Sequence, residues 1–319
     1  MGLPYADPCV RSSEASSRTW YTDDMRNERD IIVILGPTAS GKSDLGVRLA
    51  RTFNGVVLSA DSRQVYRGLD LGTGKITHQE MSGVRHELLD IASPRGQYSV
   101  SRFVRDAMRV IHTIPLERPI FIVGGSPFYI DALLKPGSFS HVPPDPKLRR
   151  RLASRTTAQL FAQLRRLDPT RATTIDRANR RRLERAIEIA RGTPSPIAPP
   201  AFTFRVLKIG IRVKQSTLFA RIDARVDRRM TAGMLREVAR LHRHGLSWKR
   251  LDAFGLEYRF LARIIRGHVS RREGITQLKT AIHHFARRQM TWWRRDDEIV
   301  WIEKPSAANA LVRTFLRNR

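Results

Sequence analysis

Gly36-Pro37-Thr38-Ala39-Ser40-Gly41-Lys42-Ser43 fits the spacing G-x-x-x-x-G-K-[ST]. Glycines at the first and sixth positions let backbone N–H groups turn inward onto phosphate oxygens. A helix starting there adds its positive end. Lys42 can reach a terminal phosphate, and Ser43 can ligate Mg2+. The octet predicts a phosphorylated ligand without saying which one. Asp61 closes the apolar stretch "GVVLSAD" and opens the polar run "DSRQVYRGLDLGTGK". A carboxylate there suits a general base, with a helix cap or an Mg2+ ligand as alternatives. A nucleotide kinase or hydrolase of this class carries an acid at the end of its metal-binding strand. Here the third apolar run, "RPIFIVGG", ends in glycines. Arg221 and Arg225 lie four apart and so share a helix face.

Three short apolar runs must position these groups. "DIIVILG" (30–36), "GVVLSAD" (55–61) and "RPIFIVGG" (118–125) are rich in β-branched residues and end at glycine or acid. "SGKSDLGVRLARTF" between the first two has helical spacing through Leu45, Leu49 and Phe53. Strands alternating with helices predict a parallel, helix-covered α/β sheet, and ligands in such sheets sit at the carboxyl ends of the strands. Gly36, Asp61 and Gly124-Gly125 all fall at such ends and should converge. From about Phe139 the texture turns helical and Arg-rich, bounded by prolines at 143–146 and 194–200. "FRVLKIGIRV" (204–213) reads as a return strand, followed by amphipathic helices. The expected fold is a P-loop NTPase-like parallel sheet covered by helices with an all-helical insertion. The core is placed at 29–138 and 204–319, the insertion at 139–203, and residues 1–28 form a disordered extension.

The 319 residues carry 58 Lys+Arg against 30 Asp+Glu, a formal charge of +28. A surface this basic repels itself unless it meets a polyanion, which makes nucleic acid the leading partner and a membrane surface the second. No apolar run reaches the ~20 residues that span a bilayer, and the N-terminus lacks the apolar segment of a secretory signal. The single cysteine, Cys9, excludes an internal disulfide framework and fits a reducing cytoplasm. His283-His284 and His242/His244 lack acids at metal-ligand spacing and are expected to be surface or RNA-facing.

"GPTASGKS", "SADSRQVYRGLDLGTGK", "HELLD", "IVGGSPFYIDALL", "RRRLERAIEIARGTP", "LFARIDARVDRRMTAGMLREV" and "ARRQMTWWRR" occur in that order. Together they resemble the tRNA dimethylallyltransferases, also called tRNA isopentenyltransferases, from about Ile31 to Trp301. The resemblance implies transfer of a dimethylallyl group from dimethylallyl diphosphate to N6 of the adenine just 3′ of the anticodon. The tRNAs concerned read codons that begin with U, diphosphate is released, and Mg2+ assists. The loop at 36–43 would then hold a prenyl diphosphate, with Ser43 on the metal. Asp61 takes the place of the family's general base, Arg225 that of its diphosphate-binding arginine, and Ser126 that of a usual threonine.

The same resemblance assigns tRNA contacts to Asp61, Ser62, Arg63 and Gln64. It assigns Arg287, Arg288, Gln289, Thr291, Trp292 and Arg294 to the tRNA channel, with one of Trp292 and Trp293 in the core. Arg181, Arg182 and Arg185 in the insertion are expected to grip the anticodon stem-loop. A cytoplasmic monomer is expected.

The chain departs from the family pattern at Ser126-Pro127, where "GGTGLY" is usual, and at Gly255-Leu256-Glu257-Tyr258, where "GYKE" is common. Asn179 stands where an acid is usual. The alternatives are a P-loop small-molecule kinase and a catalytically weakened RNA-binding relative. The first needs neither the basic insertion nor "RRQMTWWRR". The second is opposed by Lys42, Ser43, Asp61 and Arg225 and mildly favoured by Ser126-Pro127.

Overall fold

The computed structural model describes residues 28–135, 140, 142–194 and 202–318. Residues 1–27 of the expected extension, Cys9 among them, and the insertion boundaries at 136–139 and 195–201 lie outside the described residues. Glu28, expected in the extension, is the first residue of a strand.

In chain order the elements are β1 (Glu28–Leu35), α1 (Lys42–Thr52), β2 (Val56–Ser59), α2 (His78–Met81), β3 (His86–Glu87), α3 (Val100–Thr113), β4 (Ile120–Val123) and α4 (Pro127–Leu134). Then follow α5 (Pro146–Leu152), α6 (Thr157–Leu167), α7 (Pro169–Thr174) and α8 (Arg180–Arg191). The chain returns through β5 (Thr203–Ile211), α9 (Gln215–Ala232), α10 (Met234–Arg243), α11 (Trp248–Phe254), α12 (Leu256–Ile265) and α13 (Arg271–Trp293). It ends in β6 (Ile299–Ile302) and α14 (Ala307–Arg317).

The strands form one six-stranded parallel sheet in the order β3-β2-β4-β1-β5-β6. Strand β1 is central, with Ile31 opposite Ile120 of β4 and Val206 of β5. Its residues Ile31 to Leu35 are all fully buried because both faces are covered. Ile31, Val33 and Leu35 face one cluster, which takes in α3, α4 and α9 to α13. Ile32 and Ile34 face the other, under α1 and α14. Each such side chain contributes about 1.5–3 kcal/mol of burial, which is why this run reads as continuously apolar rather than alternating. The edge strands β3 and β6 were not expected. β3 is only two residues long, too short to carry a periodicity.

Helices α5 to α8 share a separate cluster built on Leu148, Leu152, Leu160, Leu164, Leu183 and Ile187. A buried acid pins it. Glu188 receives Nε and Nη2 of Arg149 at 2.6 and 2.9 Å, Nη1 of Arg185 at 3.1 Å and the Asp145 N–H at 3.0 Å. Burial alone would push its carboxyl up. The bonds from Arg149 and Arg185 more than offset that and hold it below the usual carboxylate range.

Candidate functional site

The phosphate loop leaves β1 at Gly36 and enters α1 at Gly41, whose φ of +90° lies in the left-handed region that glycine tolerates. Ala39 also sits at positive φ, 64°. Such backbone persists in a non-glycine residue only where the surroundings enforce it, as they do in ligand-gripping loops. Lys42 Nζ folds onto the Pro37 carbonyl at 3.3 Å. Arg225 of α9 donates Nη2 to Thr38 Oγ1 at 2.5 Å. Among the described residues, the buried Ser40 hydroxyl has no hydrogen-bond partner, and neither has Arg225 Nε. Burial and then the neighbouring Arg225 lower Lys42 to about 8, against an opposing pull from Asp61. Burial and then Arg229 lower Arg225 to about 10. Cations crowded against a loop of inward N–H groups make a site that an anion stabilises.

Asp61 follows β2. Its Oδ1 accepts the N–H groups of Arg63 at 2.8 Å and Gln64 at 3.3 Å, which fixes the carboxylate in a local turn. Its Oδ2 has no hydrogen-bond partner among the described residues. Ser126 Oγ accepts the Ser62 N–H at 3.0 Å, joining the turn after β2 to the turn after β4. That approach needs glycine beside it, since a Cβ on Gly124 would lie 2.2 Å from the Ala60 carbonyl oxygen. Pro127 takes the first position of α4, where the missing N–H has no helical partner to lose. The Ser126-Pro127 departure is therefore absorbed by the helix start.

Lys42, Asp61, Ser126, Arg225, Glu257 and Gln289 line one cavity of about 220 Å³. A second cavity of about 490 Å³ shares Lys42 and Arg225 and adds Ser43, Arg221, Arg228 and Arg229. The convergence expected of the three strand ends is present. A hollow of about 880 Å³ lies elsewhere, between Arg181 of α8 and Trp248, Arg250 and Arg266.

The residues expected to face RNA divide. Arg181, Arg182, Arg287, Arg288, Thr291, Trp292 and Arg294 are exposed. Trp292 is 42 % exposed with its Nε1 on Asp131 Oδ2 at 3.0 Å, while Trp293 is buried. Arg287, Thr291 and Arg294 line a pocket of their own with Phe219 and Trp301, apart from Asp61. Ser62 and Arg63 are half-buried at the cavity wall.

Three residues correct the expectation. Gln289 is buried, its Nε2 donating to the Gly125 carbonyl at 2.6 Å and its Oε1 accepting the Thr38 N–H at 2.9 Å, so both ends of its amide are spent inside the protein. Gln64 donates to the Gly74 carbonyl at 3.1 Å and accepts from Ser59 Oγ at 3.4 Å. Arg185 is bound to Glu188 and to the Val142 carbonyl, at 3.1 and 2.7 Å, and serves the insertion's own packing. His283 is likewise structural, stacked on Phe219 and 2.9 Å from Asp223 Oδ1, and His242 stacks on Trp248.

Sequence reasoning missed three acids and bases. Arg229 lies one turn beyond Arg225 and pairs with Glu257 at 3.8 Å, and its position on the same helix face was a usable signal. Glu237 accepts the N–H groups of Asp70, Leu71 and Gly72 at 3.1, 2.7 and 3.0 Å and the Tyr258 hydroxyl at 2.8 Å. It holds the loop that faces the cavity. Nothing local to either Glu237 or Glu257 marks it.

A phosphate loop on the central strand, an acid on its neighbour and an arginine from a later helix define a P-loop α/β protein adapted to an anionic ligand. The sequence profile of the IPP transferase family matches residues 64–296, and the chain belongs to that family. It is 42% identical over 282 residues to tRNA dimethylallyltransferase 2 of Citrifermentans bemidjiense, covering 86% of this chain and 90% of that protein. The crystal structure of tRNA isopentenylpyrophosphate transferase from Bacillus halodurans superposes with a TM-score of 0.69 at 31% identity, over 91% of this chain and 97% of that one. A eukaryotic dimethylallyltransferase acting on tRNA shares the fold, with a TM-score of 0.74 at 22% identity, over 91% of this chain and 80% of that one.

Proposed function

We propose that this chain transfers a dimethylallyl group from dimethylallyl diphosphate to N6 of the adenine 3′-adjacent to the anticodon of tRNA. The observation that carries the reading is the single cavity that brings Asp61 and Ser126 against Lys42 and Arg225 of the phosphate site. The N6 amine attacks C1 of the prenyl group, the C1–O bond breaks, and the bond electrons leave with diphosphate. Asp61, anchored through Oδ1 by two backbone amides, takes the amine proton. Ser126 Oγ, fixed by the Ser62 N–H, positions the reacting group. Lys42, Arg225 and the loop amides receive the charge that grows on the leaving diphosphate. The adenine must leave its stack to reach Asp61, and the exposed Trp292 and its neighbouring arginines supply surfaces that replace the lost stacking.

Mg2+ fits the donors present. Among the described residues no three His, Cys, Asp or Glu side chains gather as a metal cage. The exposed Ser43 hydroxyl lines the cavity that holds Lys42, which suits an ion held mostly by substrate phosphates and water. When bound, it would neutralise diphosphate oxygens. Residues 139–203 with Arg181 and Arg182 are assigned to the anticodon stem-loop, supported by their exposure on a basic helical unit with its own core. Among the described residues no helix is long and apolar enough to cross a membrane, and a cytoplasmic place of action follows from the tRNA substrate.

Unmodified tRNA, radiolabelled dimethylallyl diphosphate and Mg2+ test the reading. The wild type is expected to label tRNA and Asp61→Ala to lose at least about a hundredfold in rate. Absence of transfer by the wild type would overturn the activity, and equal transfer by both would remove Asp61 as the base.

A further inference from the structure

Glu257 is the second residue of α12, directly after Leu256, a non-glycine residue at a φ of +32°. Its side chain is 14 % exposed and lines the cavity that holds Asp61. Its nearest cation, Arg229 Nη1, is 3.8 Å away, and no other side chain hydrogen-bonds its carboxylate among the described residues. It is thus a mostly buried acid with a loose ion pair, quite unlike Glu237, which is fully engaged by three amides and Tyr258. Burial pushes the Glu257 carboxyl up, while Arg229, the residue's own backbone N–H and then Arg225 draw it back. Arg229 itself lines the phosphate cavity with Lys42, Ser43 and Arg225, so the pair links the two cavities.

We propose that Glu257 is a positioning residue that acts through Arg229 as an internal rival of the diphosphate. The inference rests on the reading of the 36–43 loop as a diphosphate site. Without an anion in the phosphate cavity, Glu257 holds Arg229 in place beside Arg225. A diphosphate carries more charge than one carboxylate and reaches Arg229 from the opposite side, so it draws the guanidinium away. The loose pair makes that exchange cheap, and the carboxylate left behind repels the diphosphate. A site built only of Lys42, Arg225 and Arg229 would hold substrate and product alike, and tight uniform binding slows turnover. The Glu257 charge limits that grip and favours release of diphosphate after transfer.

Calorimetric titration of magnesium diphosphate onto the full-length wild type, Glu257→Gln, Glu257→Leu and Glu257→Asp tests this. The two uncharged variants are expected to bind diphosphate tighter by on the order of tenfold, the size of one partly screened charge in a protein interior. Glu257→Asp keeps the charge and is expected near wild-type affinity. In steady state, Glu257→Gln is expected to show a lower KM for dimethylallyl diphosphate together with a lower kcat and stronger inhibition by added diphosphate. Unchanged or weaker binding in both uncharged variants overturns the proposal, as does loss of binding in all three, which marks a purely structural role. If the wild type itself binds no diphosphate, the assignment of the loop fails first and the inference falls with it.

Discussion

The Gln289 side-chain carbonyl accepts the backbone N–H of Thr38 at 2.9 Å across 251 residues of chain, tying the last turns of α13 to the phosphate loop. The same amide group donates to Gly125 after β4. One side chain thus sets the spacing between the 36–43 loop and the turn that carries Ser126.

Gln289→Ala removes this brace and leaves a buried donor and acceptor unmatched, a cost of about 1–3 kcal/mol for each unsatisfied group. Because misplacement near 1 Å costs on the order of a hundredfold in rate, kcat is expected to fall ten- to a hundredfold. Binding of tRNA by filter retention should stay at the wild-type level. An RNA-facing glutamine would give the reverse pattern.

Lys42 leads to a pH dependence. Burial and the neighbouring Arg225 lower it from its ordinary 10.5 to about 8. Below pH 8 it is charged, as the proposed diphosphate site requires. As pH rises through about 8 the folded protein sheds the proton, whereas the unfolded chain keeps it until near 10.5. The unfolded state therefore binds more protons in that window, and the free protein gains stability as pH rises across it. Diphosphate affinity moves the other way. It should fall above pH 8, and binding there should draw a proton from the buffer, measurable by calorimetry in buffers of different ionisation enthalpy. Lys42→Arg, which stays charged, should abolish the proton uptake.

The adjacent tryptophans separate packing from recognition. Trp293→Ala empties a fully buried site and should cost about 3–5 kcal/mol in denaturant unfolding. Trp292→Ala should change stability by less than about 0.5 kcal/mol and raise the KM for tRNA instead, by the tenfold or so that about 1–3 kcal/mol of lost base stacking implies.

Arg181 and Arg185, four apart on α8, should behave differently for the same reason. Arg181→Ala is expected to weaken tRNA binding and lower the slope of log affinity against log salt by about 1, with the melting temperature unchanged. Arg185→Ala takes one of two arginines from buried Glu188 and should cost about 1–3 kcal/mol in stability. Its salt slope for tRNA should match the wild type.

Much of this protein was legible because it is local. The phosphate loop is eight consecutive residues, strands β1, β2, β4 and β5 each announce themselves by a short β-branched run, and Asp61 and Gly124-Gly125 mark strand ends by composition. Parallel strands then force those ends to one rim. The departure at Ser126-Pro127 raised a doubt only placement could resolve, because Pro127 costs a hydrogen bond in a turn and nothing at a helix start.

What the tertiary structure alone decided lies in partners far apart in the chain. Gln289, Gln64 and Arg185 each carry a polar group that looks free in sequence, and each is spent on protein atoms once the chain is packed. Neighbours on a helix point about 100° apart, so "WW" guarantees that the two tryptophans face differently, yet which is buried depends on where α13 meets the sheet. The sequence by itself determined the local chemistry: a phosphate-loop motif, an acid at a strand end and a strongly basic composition. Packing decided which cations remain available to an anion and which are already matched by buried acids, because a charge taken out of water must find its partner wherever the fold puts one.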